Sequence, residues 1–292
     1  MRNAEDITRA AVLGAGTMGH GIAQVLAAAG IETCLFDVDS AAAEAGLAKV
    51  RANLDKGVER GKVEPDQRDR TLECLRAETD LGAAIGAASG GVGLVIEAVP
   101  ERMDLKREIF AELGRTLGPD VLLATNTSSL SISAIAESAD HQERVLGMHF
   151  FNPVHIMKLV EVVRGTNSSE QAVETAMGLA RRMGKEPIDV RDAPGFASSR
   201  LGLAIGLEAM RMVQAGVASA EDIDKAMTLG YGFPMGPLKL TDLVGLDVRL
   251  AIADYLTETL GERFQPPALL REMVARGDLG KKSGKGFYDW RD

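Results

Sequence analysis

A histidine and a glutamate flank a predicted chain reversal in the middle of the sequence. His149 belongs to the apolar run 145–151, and Glu161 belongs to the β-rich run 159–163. The two residues are equidistant from residue 155, so strands that reverse there would place them opposite each other, with Cβ atoms about 5 Å apart. Because a carboxylate fixes the tautomer of an imidazole and stabilises its protonated form, this pair could act as a general base.

The alternative for such a histidine is that of a hydrogen-bonded core residue. The opposed Glu161 and a polar run at the same sheet edge favour a catalytic role. Residues 125–129 contain Ser128 and directly follow the apolar strand 121–124. Strands alternate with helices here, which predicts a parallel sheet with ligands at the carboxyl ends of its strands. For the hydroxyl groups the alternative is helix capping, because Ser131 and Ser133 precede an apolar helix.

A glycine-rich turn near the start of the chain has the pattern of a dinucleotide-binding unit, G-x-G-x-x-G. The segment consists of the strand 10–13, the turn residues Gly14, Gly16, Thr17, Met18 and Gly19, and the helix 22–29. The first glycine allows a tight turn, the second lets the backbone approach a pyrophosphate, and the third allows close helix packing. The helix N-terminus then offers N–H groups and partial positive charge to the phosphates.

An acidic residue after the second strand indicates which dinucleotide is bound. The apolar strand 33–36 ends at Asp37, about 20 residues after the turn, as such units require. A carboxylate there accepts hydrogen bonds from the adenosine ribose and repels a 2′-phosphate. No Arg follows within residues 38–40, so the predicted cofactor is NAD rather than NADP.

Composition and charge exclude several classes of protein. The chain has 292 residues, a net charge of −9, 46% hydrophobic residues and two cysteines. The negative charge argues against nucleic acid or an anionic membrane as a partner. The cysteines have neither the spacing of a metal site nor that of a disulfide framework, which favours a cytoplasmic location. Residues 1–6 do not resemble a signal peptide, and no apolar stretch is long enough to span a membrane.

A long helical insertion is predicted after Asp37, over about residues 40–77. Its apolar stripe has 3/4 spacing, and a second stripe is formed by Lys49, Asn53, Lys56 and Arg60. By itself this basic stripe is typical of a solvated helix face. It would gain a function if the substrate carried phosphates.

The composition changes near residues 191–195, where we expect a domain boundary. Residues 1–190 are predicted to form the nucleotide-binding domain, and residues 191–292 a smaller domain that is entirely helical. The last segment, 280–288, combines glycine, lysine and two aromatic residues. Such a loop suits contact with an anion, although a solvated tail is the alternative.

With these motifs in view, the chain resembles the two-domain L-3-hydroxyacyl-CoA dehydrogenases, and in particular the bacterial 3-hydroxybutyryl-CoA dehydrogenases. The most specific similarity is HFFNPVHIMKLVEVV at 149–163. The other similar motifs are NTSSLSI at 126–132, DAPGF at 192–196, GYGFPMGPLKLTDLVGLD at 230–247 and GKKSGKGFY at 280–288. The resemblance implies an α/β, Rossmann-like domain followed by an all-α domain for substrate binding and dimerisation.

The resemblance also implies roles for single residues. His149 is the base, Glu161 is its partner, and Ser128 hydrogen-bonds the reacting oxygen. Asn152 lines the same site on the nicotinamide side. Positions around NAD are matched by Asp37, Glu101, Lys106 and Lys282, and positions near coenzyme A by Asn53 and Arg60, with Lys56 on the same stripe. At Ser199 the family usually has Asn, so the catalytic role implied for that position is open.

The predicted function is therefore NAD-dependent interconversion of a (S)-3-hydroxyacyl-CoA and a 3-oxoacyl-CoA by a homodimer. One alternative is a dehydrogenase of small sugar or hydroxy acids, because such dehydrogenases share the two-domain plan. The other is an NAD-binding protein without turnover, which would have no need of the His149–Glu161 pair.

Overall fold

The computed structural model describes residues 1–86 and 91–291, and these form two compact units. The first runs from Met1 to Ala193, and the second begins at Pro194. A Rossmann-like, mainly parallel sheet with helices is followed by a helical unit, which confirms the predicted fold class.

The first unit is built on one twisted sheet. Its strands in the described residues are β1 (Arg9–Leu13), β2 (Glu32–Phe36), β3 (Leu75–Glu78), β4 (Leu94–Glu97), β5 (Leu122–Thr125), β6 (Val145–Phe150), β7 (Leu159–Arg164) and β8 (Glu186–Arg191). Their order is β3-β2-β1-β4-β5-β6-β7-β8. The pairs are parallel except β6–β7, which is antiparallel.

Helices cover both faces of this sheet. In the described part of the unit they are α1 (Gly19–Ala28), α2 (Ser40–Glu59), α3 (Pro65–Glu73), α4 (Leu81–Ala84), α5 (Met103–Thr116), α6 (Ile132–Ala136) and α7 (Glu170–Arg182). Successive residues of β1 belong to two different hydrophobic cores. Val12 packs in the core that contains residues of α1 and α7, and Leu13 packs in the core that contains residues of α5. This division follows from the two-residue period of a strand, whose two faces are both buried.

The helical insertion predicted over 40–77 differs in its last part. Two helices, α2 and α3, are followed by the strand β3, which pairs with β2 at the edge of the sheet. The sequence of β3, LRAE, has little β-propensity of its own. Its pairing with β2 therefore decides its conformation, and the prediction of helix up to residue 77 was wrong there.

The second unit is mostly helical. Its described helices of at least six residues are α8 (Ser198–Gln214), α9 (Ala220–Lys225), α10 (Pro237–Val244), α11 (Leu246–Leu260) and α12 (Ala268–Ala275). The C-terminal segment was predicted as a loop, and in it isolated β-bridges join Lys285 to Gly280 and to Asp289. The buried Asp242 carboxylate accepts the N–H groups of Phe287 and Tyr288 at 2.9 Å and fixes this loop to α10.

The helices of the described residues include no candidate membrane span. None of them combines the length and the apolar composition that a membrane span requires.

Candidate active site

One edge of the sheet collects most of the predicted site residues of the first unit. Strands β1, β4, β5 and β6 are parallel neighbours, so their carboxyl ends meet at the same edge. With neighbouring strands about 4.8 Å apart, the loops after β1 and β6 are separated by roughly 14 Å. An extended ligand could therefore run along this edge from the glycine turn to His149.

The glycine turn after β1 has the geometry that a dinucleotide requires. Gly14 has φ +99°, and a Cβ there would lie 2.7 Å from the carbonyl oxygen of Ala98. At Gly19 a Cβ would overlap the carbonyl oxygen of Gly14, whereas at Gly16 it would meet no described atom within 4 Å. Gly14 and Gly19 thus keep the turn tight, while Gly16 leaves its backbone open to a phosphate group. Thr17 is exposed beside it, and Met18 precedes α1.

Asp37 lies at the end of β2, next to this turn. Its Oδ2 accepts the N–H of Ala15 at 2.9 Å, and its Oδ1 accepts the N–H of Asp39 at 3.2 Å. The half-buried carboxylate is therefore held in place by the backbone of the turn. These residues fit NAD, because the backbone of Gly16 is open to a pyrophosphate and a carboxylate stands where a ribose diol would bind.

The structure places His149 directly opposite Glu161 in the antiparallel pair β6–β7, as the symmetric reversal predicts. His149 Nδ1 lies 2.7 Å from Glu161 Oε2. The glutamate side chain is fully buried, and the histidine side chain is 9% exposed. The Phe151 ring packs against the imidazole, with a centroid distance of 4.5 Å. A buried carboxylate thus orients an imidazole that retains some access to solvent.

Ser128 lies in the loop after β5, which a carboxylate organises. Glu101 Oε1 accepts from Thr127 Oγ1 at 2.5 Å, from the Ser128 N–H at 3.0 Å and from Ser128 Oγ at 3.4 Å. Burial raises the pKa of Glu101, but the Thr127 hydrogen bond and the nearby charge of Lys106 outweigh it and hold the carboxyl pKa below its usual value. Glu101 therefore remains an anion beneath the loop.

The same loop is tied to the strand of His149. Asn126 Oδ1 accepts the N–H of Phe150 at 2.9 Å, which links the loop of Ser128 to the end of β6. The capping alternative also holds, but for another residue, since Ser131 Oγ accepts the N–H of Ala134 at the start of α6. Ser131 thus caps α6, whereas Ser128 lies in the loop at the edge of the sheet.

Lys106 is the predicted cofactor residue whose surroundings differ most from the expectation. Its side chain is 1% exposed, and Nζ lies 2.6 Å from Glu97 Oε1 and 3.5 Å from Glu101 Oε2. This burial favours an indirect role behind the loop over a direct cofactor contact, which stays a prediction. The sequence pattern did not single out Glu97, although a glutamate at the end of an apolar strand is itself a signal of a buried partner.

The remaining predicted residues of the first unit are more exposed. Asn152 is exposed after β6, and Lys49, Lys56 and Arg60 are exposed along α2 and just after it. Asn53 is half-buried, and its Nδ2 donates to Gln24 Oε1 at 3.2 Å. The stripe of α2 therefore presents three cations to solvent, with an amide held between them.

Two predicted site residues belong to the second unit. Ser199 is the second residue of α8 and is half-buried. Lys282 Nζ lies 2.6 Å from the carboxylate of Asp247 at the start of α11. Their assignments as catalytic and cofactor-binding residues stay predictions.

The parallel sheet, the open glycine turn and the carboxylate at the end of β2 define a dinucleotide-binding protein with a helical second unit. A family model for the 3-hydroxyacyl-CoA dehydrogenase NAD binding domain matches residues 9–193. The model for the C-terminal domain of 3-hydroxyacyl-CoA dehydrogenase matches residues 195–290.

Similar proteins cover nearly the whole chain. A probable 3-hydroxybutyryl-CoA dehydrogenase of Bacillus subtilis is 44% identical over 98% of this chain and 99% of its own length. A 3-hydroxybutyryl-CoA dehydrogenase of Mycobacterium tuberculosis is 45% identical, over 97% and 99%. The crystal structure of (S)-3-hydroxybutyryl-CoA dehydrogenase from Ralstonia eutropha is 37% identical, with a TM-score of 0.92 over 98% and 99%. The chain belongs to the 3-hydroxyacyl-CoA dehydrogenase family and is an NAD-dependent oxidoreductase.

Proposed function

We propose that this dehydrogenase interconverts (S)-3-hydroxybutyryl-CoA and acetoacetyl-CoA with NAD as the cofactor. The observation that carries the proposal is the buried His149–Glu161 pair, with 2.7 Å between Nδ1 and Oε2, at the sheet edge that also carries the glycine turn. A protein that only bound NAD would have no use for an imidazole oriented in this way. The substrates named for the relatives with similar length and sequence support the short-chain acyl-CoA.

In the oxidation direction, His149 takes the proton of the substrate 3-hydroxyl group. We assign the transfer to Nε2, since Glu161 holds Nδ1. NAD held by the glycine turn and Asp37 would supply the acceptor for the hydride of C3. The imidazolium formed in this step is stabilised by the Glu161 carboxylate, which is fully buried and therefore interacts strongly with a positive charge. In reduction the imidazolium returns the proton to the 3-oxo oxygen.

Ser128 is assigned the stabilisation of that same oxygen. Its hydroxyl lies in a loop whose backbone N–H groups bind Glu101, so the serine is held in one place before the substrate arrives. On substrate binding the hydroxyl would exchange its long contact with Glu101 Oε1, at 3.4 Å, for a hydrogen bond to the reacting oxygen. Asn152, just after β6, is assigned to the nicotinamide side of the site.

The exposed stripe on α2 is assigned to coenzyme A. Lys49, Lys56 and Arg60 carry positive charge in a protein whose net charge is −9, and coenzyme A carries phosphates. Local cations attract such a ligand even when the total charge of the protein is negative. Asn53 adds an amide that Gln24 orients.

Homodimerisation through the second unit is a further part of the proposal. Large apolar side chains there are 37% to 64% exposed, on α8 (Leu201, Ile205), α10 (Leu240, Leu243, Val244) and α11 (Val248). A cluster of exposed apolar side chains on neighbouring helices is typical of an interface. Light scattering should give the mass of a dimer, and Leu201→Glu should shift it toward that of a monomer.

A cytoplasmic location is proposed on the basis of the cysteines. Cys34 and Cys74 are both free thiols, which suits a reducing compartment. Localisation of a tagged full-length chain would test this directly.

The deciding experiment follows the loss of NADH absorbance with acetoacetyl-CoA. Turnover should require the acyl-CoA, should be slow with NADPH, and should be about 10²–10⁴-fold slower in His149→Ala. Small 3-oxo acids without coenzyme A serve as the control for the rival dehydrogenase. NADH binding with no turnover of any of these substrates would instead favour a non-catalytic protein.

A further inference from the structure

Glu97 is a fully buried carboxylate at the end of β4, and its two oxygens both accept hydrogen bonds. Oε1 accepts from Lys106 Nζ at 2.6 Å and from the Val99 N–H at 2.7 Å, and Oε2 accepts from Thr125 Oγ1 at 2.7 Å. Burial of an ionised carboxylate is costly unless it is paired and hydrogen-bonded in this way. Its environment is therefore built to keep an anion at this position.

Two chains of contacts lead from Glu97 to the loop of Ser128. On one side Lys106 Nζ, held by Glu97, lies 3.5 Å from Glu101 Oε2. Glu101 Oε1 then accepts from the side chain of Thr127 and the backbone of Ser128.

On the other side the route runs through β5. Thr125 Oγ1, which donates to Glu97, accepts the N–H of Thr127 at 3.3 Å. The first route ends at the side chain of Thr127 and the backbone of Ser128. The second ends at the backbone of Thr127, one residue before Ser128.

The distances show with which of the two carboxylates Lys106 pairs more closely. Lys106 is 2.6 Å from one carboxylate and 3.5 Å from the other, so Glu97 is the nearer anion. A neutral side chain at position 97 would leave Glu101 as the remaining anion beside Lys106. The ammonium would then move toward Glu101 Oε2 and draw that carboxylate away from the N–H groups of the loop.

We propose that Glu97 is a positioning residue that keeps Ser128 in place through Lys106, Glu101 and Thr125. It touches neither substrate nor cofactor in this role. The inference rests on the proposed function, because it needs Ser128 to act on the reacting oxygen. Glu97 lies outside the set of predicted site residues, but the geometry of the site depends on it.

The test is a double-mutant cycle in the full-length enzyme with NADH and acetoacetyl-CoA. Glu97→Gln should lower kcat about 10-fold at saturating NADH, a condition that removes from the comparison any change in cofactor binding through Glu101 and Lys106. In a Ser128→Ala background the same change should lower kcat by less than about 2-fold, because residues that act through one another are not additive. The matched control is Glu112→Gln, an exposed residue of α5, which should leave kcat unchanged.

Equal losses in both backgrounds would overturn the proposal, since a general loosening of the fold would lower kcat whether or not Ser128 is present. If Ser128→Ala alone leaves kcat unchanged, Glu97 has nothing to position and the proposal also fails, while turnover by the wild type upholds the proposed function. If Glu97→Gln does not fold, Thr125→Val removes the second route without changing charge, and the same cycle decides. A wild type that does not reduce acetoacetyl-CoA refutes the function itself.

Discussion

Two buried pairs of the first unit, each formed by a carboxylate and a side-chain nitrogen, have almost the same length but different chemistry. His149 Nδ1 lies 2.7 Å from Glu161, and Lys106 Nζ lies 2.6 Å from Glu97. Both carboxylates are fully buried, but the histidine side chain is 9% exposed and the lysine side chain 1%. An imidazole exchanges protons near neutral pH, whereas an ammonium group is a fixed charge there. The first pair suits proton transfer and the second suits support of a loop.

The comparison is tested most strongly at the histidine. His149→Ala should lower kcat by about 10²–10⁴-fold, the usual contribution of a positioned acid–base group. The Kd for NADH should barely change, because the glycine turn is built by other residues. His141→Ala is the control, since His141 is exposed in a turn and pairs with Glu143 at 3.4 Å. Near-normal turnover in His149→Ala would falsify the mechanism.

At the lysine the expected effect is on stability. Lys106→Met leaves Glu97 buried without its cation, and removal of one partner of a buried pair costs about 3–5 kcal/mol. Denaturant unfolding should show this loss in the free energy of unfolding. In the control variant Lys225→Met, an exposed lysine loses its pairs with Glu221 and Asp222, which should cost less than about 1 kcal/mol. Similar losses in the two variants would show that the buried Lys106–Glu97 pair contributes no more to stability than an exposed pair does.

A smaller effect is expected at the partner of the histidine. Glu161→Gln keeps the shape of the side chain but cannot stabilise the imidazolium. Hydrogen bonds to charged groups contribute about 1.5–3 kcal/mol, so kcat should fall about 10- to 100-fold. A rise in KM with kcat unchanged would show that Glu161 serves substrate binding and not the imidazole.

Asp37 allows the charge of a site residue to be separated from its hydrogen bonds. Asp37→Asn retains an acceptor for the N–H of Ala15 but no longer repels a 2′-phosphate. The ratio of kcat/KM with NADH to that with NADPH should narrow by about 10-fold, equivalent to about 1.4 kcal/mol. Asp37→Ala should narrow it too, with weaker NADH binding. An unchanged ratio would show that another residue selects the cofactor.

The sequence predicted best those features that depend on local spacing. The glycine turn is a single segment, and the opposition of His149 and Glu161 follows from symmetric strands around one reversal. Each could be derived by counting residues, because a strand pair with a fixed centre has only one register. The alternation of strands and helices likewise predicted the parallel sheet.

Features that depend on tertiary contacts were not predicted. The Glu97–Lys106 pair joins the end of a strand to a helix that packs beside it, and no periodicity in the sequence links the two. The strand β3 is another example, because its four residues acquire their conformation from β2. For β3 the deciding partner is distant in sequence. For the Glu97–Lys106 pair the short separation includes a loop and the first turn of α5, so counting residues does not reveal the contact.

The position where the family resemblance implies Asn in place of Ser gives the smallest expected effect. Ser199 is the second residue of α8 and follows Gly195 and Phe196, whose φ angles are positive at 75° and 47°. For Phe196 such a backbone is costly, and strain of this kind is common near functional sites. An Asn at position 199 could donate to a substrate oxygen directly, whereas the shorter Ser would need a bridging water.

If Ser199 acts through such a water, Ser199→Ala should lower kcat/KM by roughly 10-fold at most, within the range of one neutral hydrogen bond. Ser199→Asn should retain activity, because the amide spans the gap that the water fills. Ser198→Ala is the matched neighbour, and it shows whether the two hydroxyls share the task. An unchanged kcat/KM in Ser199→Ala would show that the residue serves only the first turn of α8. The catalytic set would then consist of Ser128, His149 and Glu161, all in the first unit.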